Sequence, residues 1–347
     1  MKTKKQNNNL KVERLNYELI RTYKDLKNRE ENDNPYPQKE RINYVAISPN
    51  QKIVACGYYS GELSLFDFKT SELIARFQAH DGRIHHIEFS KNGEIMLSTG
   101  ADGRVMVFDM KKYTLLKEVV MPFYKNHLEL TRIVFALIDD DLEHIYFGAN
   151  NACIYKCDRK RDYKPYMIVN PESDINSDYF YVTAGIFSPD KKHLVYSSGY
   201  SIKYLNLSTN KIEKHIGITT HYINDIVFHP INSNILISWL ENGTITYWDI
   251  ELEEELCTIK ASDEEGYSHI SINNTGEYLA SGNDNSYINI WDVNIKHRLA
   301  RITNKFSMDG ETKGHTKRIK SLTFIEDGSL LTASHDGTAK LWKLTKK

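Results

Sequence analysis

The chain has 347 residues, with 45 Lys and Arg against 46 Asp and Glu, a formal net charge of −1 and 40% hydrophobic residues. That balance excludes the bulk electrostatic pull toward nucleic acid or an anionic membrane that a strongly basic chain would have. There is no run of roughly eighteen apolar residues to make a transmembrane helix, and no apolar stretch behind the opening MKTKKQNNNL to make a secretory leader. Cys56, Cys153, Cys157 and Cys257 are too scattered for a disulfide framework, so a reducing intracellular compartment, cytosol or nucleus, is expected.

Residues 1–14 read as a disordered polar tail. Residues 15–28 contain LNYELIRTYKDLK, which is similar to KTSELIARFQAH at Lys69 to His80, so a β-strand is expected around Tyr17 to Tyr23. A short helix with Leu15, Leu19 and Leu26 on one side is the alternative. Residues 29–40, charged and with two prolines, read as a linker.

From about residue 42 one grammar recurs. A strand ends in Phe-Ser-Pro or a variant, a polar turn leads to a second strand, and a tight turn leads to a third. Seven such segments fall at about 42–79, 80–120, 121–169, 170–217, 218–260, 261–302 and 315–347. Each third strand closes on a dipeptide: Phe66-Asp67, Phe108-Asp109, Cys157-Asp158, Leu205-Asn206, Trp248-Asp249, Trp291-Asp292 and Trp342-Lys343, spaced 42 to 51 residues apart. The third segment is degenerate, with Asn150-Asn151 at its turn, and the fourth is preceded by the acidic loop ESDINSDYFY. An insertion from Thr303 to Gly314 follows the sixth, and is expected to be dispensable for folding. The last segment is the most complete: in HTKRIKSLTFIEDGSLLTASHDGTAKLWKL, the Asp327-Gly328 and Asp336-Gly337 pairs supply the positive φ that tight hairpins require.

The order His, about twenty residues, Ser-x-Asp-Gly, then Trp, repeated at this period, resembles the WD40 repeat. The resemblance covers the chain from about residue 41 onward. It implies an all-β fold, a single seven-bladed β-propeller in residues 15–347, whose last blade lacks a fourth strand of its own. The segment at 15–28 is expected to fill that gap and close the ring, hiding an edge that would otherwise invite pairing. It further implies a structural tetrad of His315, Ser334, Asp336 and Trp342. Blade two retains part of it, with His80 and Asp102 but Gly100 and Phe108. Ser, His and Asp together also suggest a catalytic triad, but the repeat position accounts for all three.

No metal ligands or cofactor are expected. Cys153 and Cys157 lack the second pair that zinc requires and read as core. Asp139-Asp140-Asp141 reads as a solvated turn, and alternation along the strand is expected to turn one of His85 and His86 inward and the other outward. Binding is then expected on the narrow top face of the propeller, through Tyr59, Ala101, Asn150, Ser198, Glu241, Asp284 and His335. Tyr58 and Tyr59 would be the aromatic anchors, and Glu241 and Asp284 would attract a basic segment. The function implied is a non-enzymatic scaffold that mediates protein–protein interactions as a monomeric propeller within a multi-subunit complex. The alternative is a subunit of an RNA-processing, ribosome-assembly or chromatin complex, touching nucleic acid through Lys2, Lys4, Lys5, Lys343, Lys346 and Lys347.

Overall fold

A computed structural model describes residues 15–24, 40–121, 131–170, 181–217, 219–262, 269–303 and 314–346. The polar tail at 1–14, nearly all of the linker at 29–40, nearly all of the acidic loop and the body of the insertion lie outside those residues.

Strand β1 spans Leu15–Tyr23. Blade one follows with β2 (Ile42–Ile47), β3 (Ile53–Tyr58), β4 (Glu62–Asp67) and β5 (Leu73–Gln78). Blade two has β6 (Ile84–Phe89), β7 (Ile95–Gly100), β8 (Arg104–Asp109) and β9 (Thr114–Val120). Blade three has β10 (Ile133–Ile138), β11 (His144–Ala149), β12 (Ile154–Asp158) and β13 (Pro165–Val169). In blade four these are β14 (Val182–Phe187), β15 (His193–Ser198), β16 (Ser201–Asn206) and β17 (Lys211–Ile216). Blade five contains β18 (Ile223–Phe228), β19 (Ile235–Leu240), β20 (Thr244–Asp249) and β21 (Glu254–Lys260). Blade six has β22 (Ile270–Ile272), β23 (Tyr278–Gly282), β24 (Ile288–Asp292) and β25 (Arg298–Ile302), and blade seven β26 (Ile319–Phe324), β27 (Leu330–Ser334) and β28 (Ala339–Lys346).

Each of the first six sheets takes its four strands in chain order, and the seventh runs β1-β28-β27-β26. Inner strands touch in the order β2, β6, β10, β14, β18, β22, β26 and back to β2, so the ring is closed. The all-β seven-bladed propeller expected from the repeats is the fold observed.

Burial explains the strand patterns. β3, IVACGY, is buried at every position because blades pack on both of its faces. The outermost β17, KIEKHI, alternates between exposed and half-buried residues up to His215, because one face meets solvent, and ends on the buried Ile216. Between blades, Phe135 fills the space above Gly148 and Gly185, and a Cβ at Gly185 would strike its ring.

The closing dipeptides have a local mechanical role. The Asp67 carboxylate accepts the backbone N–H groups of Lys69 and Thr70, both at 2.8 Å, and so caps the turn after the third strand. Asp109, Asn206, Asp249 and Asp292 do the same in their blades. Lys343 stands at this position in blade seven, where the chain makes no such turn and β28 runs on to pair with β1.

That pairing joins Leu15 to Lys346 and Tyr23 to Ala339, with a bulge between Leu19 and Arg21. Leu15 is buried in the apolar cluster between blades six and seven, and Tyr23 in the one between blades seven and one. The Tyr23 hydroxyl donates to the carbonyl of Phe68 at 2.8 Å, and Arg21 Nη1 to the same oxygen at 2.9 Å. The added strand thus stitches the last blade to the first.

Candidate functional site

The inner strands surround a central channel of about 1120 Å³. In six blades the inner strand is bulged near its start, at Ile42/Tyr44, Ile84/His86, Ile133/Phe135, Val182/Gly185, Ile223/Asp225 and Ile319/Ser321. A bulge breaks strict alternation. It corrects the expectation for His85 and His86, since both line the channel.

In six blades two positions frame the top mouth: the residue just before the inner strand, and the residue that follows the second strand. A backbone hydrogen bond joins them. The N–H of Tyr59 donates to the carbonyl of Arg41 at 2.8 Å, Ala101 to Arg83 at 3.0 Å, Asn150 to Arg132 at 2.9 Å and His335 to Arg318 at 3.0 Å. In blades four and five the pairs are Gly199 to Tyr181 at 2.9 Å and Glu241 to Tyr222 at 2.8 Å.

This register corrects two of the expected top-face residues. In blade four a two-residue turn puts Gly199 where Tyr59 sits in blade one, so Ser198 is the last residue of β15 and only 2% exposed. Tyr58 likewise ends β3 and is 2% exposed, inside the apolar cluster between blades seven and one. Tyr59, Ala101, Asn150, Glu241, Asp284 and His335 are all half-buried. Arg83 lies over the Tyr59 ring, 5.9 Å from its centroid, and Tyr59 meets His335 edge-on at 6.4 Å. Asp284 Oδ2 pairs with Arg318 at 3.4 Å, while its Oδ1 is buried without a hydrogen-bond partner.

Arginine precedes the inner strand in blades seven, one, two and three: Arg318, Arg41, Arg83 and Arg132. The signal was present in the sequence as the dipeptide Arg-Ile at 41, 83, 132 and 318, the last residue before the strand's apolar start. Among the described residues, Arg41, Arg83 and Arg132 have no acidic partner. The channel wall carries, among the described residues, four arginines and two lysines (Lys191 and Lys320) against Glu88 and Asp225. Glu88 is pushed up to about 7 by burial, and Asp225 Oδ2 lies 3.2 Å from His269 Nδ1. Neighbouring groups respond to this field. Burial first, then Lys320 and Arg41, hold His335 down to about 4, and burial with Arg83 and Arg132 holds His85 down to about 3. Across the mouth, blades four and five present Tyr181, Tyr200 and Tyr222 instead. Tyr200 and Tyr222 stack at 4.6 Å, and Tyr181, 50% exposed, meets Tyr222 at 6.4 Å.

The polar network of blade seven differs from the expected tetrad in one member. Trp342 Nε1 donates to Thr332 Oγ1 at 2.9 Å, and His315 Nε2 lies 2.8 Å from the same oxygen. His315 Nδ1 is 2.9 Å from Asp336 Oδ2. Ser334 instead donates to the carbonyl of Lys317 at 2.9 Å and accepts from the Asp336 N–H. Register is the reason: Trp342 pairs with Leu330, so Thr332 is two residues along β27 and Ser334 four. At about 3.3 Å per residue, four residues is beyond an indole's reach.

Burial keeps His315 below its ordinary value, and therefore neutral, although Asp336 opposes this. A neutral ring donates from Nδ1 to Asp336 and accepts at Nε2 from Thr332, whose oxygen accepts from Trp342, so every member is satisfied. Blade two repeats the network as Asp102, His80 and Ser98, with Nε2 to Oγ at 2.8 Å and Phe108 in place of the indole. Its hydroxyl is two residues before Gly100. The His315 and His80 side chains are 0% exposed, so no substrate reaches them and the triad arrangement is sealed structure.

Cys153 and Cys157 are buried in one apolar cluster, and among the described residues no group of three or more His, Cys, Asp or Glu is placed to hold a metal ion. No helix of the described residues is long and apolar enough to cross a membrane. Lys343 and Lys346 are exposed on β28, while Lys2, Lys4, Lys5 and Lys347 lie outside the described residues.

Comparison with known families agrees with this architecture. The family model "WD domain, G-beta repeat" matches residues 71–109, 254–292 and 307–343, and the model "Anaphase-promoting complex subunit 4 WD40 domain" matches residues 3–89. The chain is 31% identical over 126 residues to the protein LST8 homolog of Drosophila pseudoobscura pseudoobscura, covering 35% of this chain and 38% of that protein. It is 28% identical over 161 residues to the small ribosomal subunit protein RACK1 of Neurospora crassa, covering 45% and 49%. Over 105 residues it is 30% identical to the DENN domain and WD repeat-containing protein SCD1 of Arabidopsis thaliana, covering 30% of this chain and 8% of that protein. The matches thus span less than half the length of each of these relatives. With seven four-stranded blades, Asp-capped repeat turns, the Trp-Thr-His-Asp network and these matches to WD40 repeats, the chain belongs to the WD40-repeat β-propeller family.

Proposed function

We propose that this propeller is a non-enzymatic scaffold that holds a protein partner on its top face as one subunit of a larger assembly. One observation carries the reading. Side chains at a repeated structural position, together with the turn residues bonded to them, converge on one concave mouth where arginine, tyrosine and histidine meet. Arg and Tyr are the residues that concentrate binding energy at protein interfaces, because each offers a large contact area with polar groups at its tip. The buried His-Asp networks stiffen the blades and offer no reactive group to solvent.

The test is an affinity capture from cell extract, read by mass spectrometry, comparing the wild type with a Tyr59→Ala/Tyr181→Ala variant. Both side chains are at the mouth, and neither belongs to a fully buried cluster. A specific set of proteins lost with the variant supports the reading. An unchanged set moves the binding site to the rim or the opposite face.

A further inference from the structure

The arginines of the mouth are not scattered. Arg318, Arg41, Arg83 and Arg132 occupy the same structural position in four consecutive blades, each fixed by the backbone hydrogen bond from its turn. They form an arc over the seven-one-two-three side of the ring, and the tyrosine cluster of blades four and five faces it. One buried donor in this arc, Arg41 Nε, has no hydrogen-bond partner in the protein; nor do His335 Nε2, a ring nitrogen whose role depends on the tautomer, and the acceptor Asp284 Oδ1. A buried donor without a partner is costly, and a guanidinium presents its donors in a planar fork that matches a carboxylate or phosphate with two parallel bonds. The whole chain is nearly neutral, so this excess of positive charge is local. A low-dielectric wall focuses such a field.

We infer that the top mouth recognises an acidic segment of a protein partner, its carboxylate or phosphate groups over the arginine arc and an apolar side chain on the tyrosine cluster. This rests on the top-face reading above and names the chemistry of the occupant. It reverses the charge expected from Glu241 and Asp284: Asp284 Oδ2 is already paired with Arg318, and Glu241 is the turn partner of Tyr222 in blade five, on the tyrosine side of the mouth. The order of the two arcs sets a polarity. A segment lying across the opening would place its anionic part toward blades one to three and its apolar part toward blades four and five. The choice of a peptide over nucleic acid follows from the aromatic side. Tyr200 and Tyr222 already stack on each other, which leaves Tyr181 as the most exposed ring, whereas tracking a single strand uses a succession of open aromatic faces.

The probe is an array of degenerate peptides of about a dozen residues, each with fixed glutamate, phosphoserine, lysine or neutral positions and one fixed phenylalanine. It is read with the labelled full-length protein and with an Arg83→Glu/Arg132→Glu variant. Arg132 is exposed and Arg83 half-buried, so the variant should keep its melting temperature; if it does not, Arg83→Gln/Arg132→Gln replaces it. The expected result is enrichment of the glutamate or phosphoserine peptides by about tenfold over lysine and neutral ones, lost in the variant. The glutamate and phosphoserine arms distinguish the two sources of negative charge. Enrichment of lysine or neutral peptides, or acidic binding that survives the reversal, overturns the inference. So does an oligouridylate of similar length that binds more tightly than any peptide through the same arginines. Failure here is separable from failure of the top-face reading. If Tyr59→Ala/Tyr181→Ala loses the captured proteins and the arginine reversal does not, the face stands and the acidic occupant falls; if neither loses them, the face itself falls.

Discussion

Replacing Thr332 by Val tests the blade-seven network most directly. Valine keeps the shape and the branched Cβ that suit a strand and removes only the hydroxyl. Thr332 is fully buried, and its oxygen is the shared partner of Trp342 Nε1 at 2.9 Å and His315 Nε2 at 2.8 Å. The substitution therefore leaves one buried donor and one buried acceptor unpaired. At about 1–3 kcal/mol for each, the expected loss is about 3 kcal/mol. Ser334→Ala removes one bond to the Lys317 carbonyl and one from the Asp336 N–H of the following turn, and should cost about 1 kcal/mol. Denaturant unfolding followed by tryptophan fluorescence measures both, through a shift in midpoint at constant slope. Because Thr332 and Trp342 touch, the double variant Thr332→Val/Trp342→Phe should lose less than the sum of the single changes. If Ser334→Ala is as destabilising as Thr332→Val, or if the two network substitutions add fully, the assignment of Thr332 as the bridging hydroxyl is wrong.

Deleting residues 1–28 should lower the melting temperature sharply, because β28 loses an antiparallel partner along its length and Leu15 and Tyr23 leave their clusters; deleting residues 1–9 should change it little. Equal effects from the two deletions would contradict the closing role of β1. Gly185→Ala should destabilise by about 1–3 kcal/mol in thermal melts, since its Cβ would push into the ring of Phe135 from a packed core. Acid should weaken the fold through its buried histidines. Burial holds His85 and His86 down to about 3 against an ordinary 6.5, so below that pH the unfolded chain takes up protons that the folded chain refuses. Stability is therefore full above pH 6.5 and falls as pH drops toward 3, by up to about 1.4 kcal/mol per pH unit for each proton. Unfolding titrations between neutral pH and about pH 5 should show this slope, and His86→Asn should flatten it; an unchanged slope would mean that His86 is not the group responsible.

Part of this architecture is local, and local features were legible in the sequence. The Asp-Gly turns, the strand grammar and the closing dipeptides act within a few residues of themselves, so their spacing alone specified seven blades. The Asp67-type caps show why: a carboxylate bonding N–H groups two and three residues on needs no distant partner. The likeness of residues 15–28 to an outermost strand identified the closing element for the same reason, since a strand's alternation is written in its own residues. Other features depended on register across strands and could not be read from spacing. Ser334 and Thr332 point to the same face of β27, and only the pairing of Trp342 with Leu330 decides which of them the indole reaches. Tyr58 and Tyr59 are neighbours, and the end of β3 decides which is core and which is surface. The inner-strand bulges turned both His85 and His86 into the channel, where simple alternation divides them. The arginine arc is the plainest case. Arg41, Arg83, Arg132 and Arg318 are separated by tens to hundreds of residues, and each alone is an ordinary charged residue before an apolar strand. Closure of the ring places four like charges on one low-dielectric mouth. The sequence by itself determined the repeating unit, whose bonds are short-range; the tertiary structure alone decided what those units present together, because a shared electrostatic field exists only once the blades are side by side.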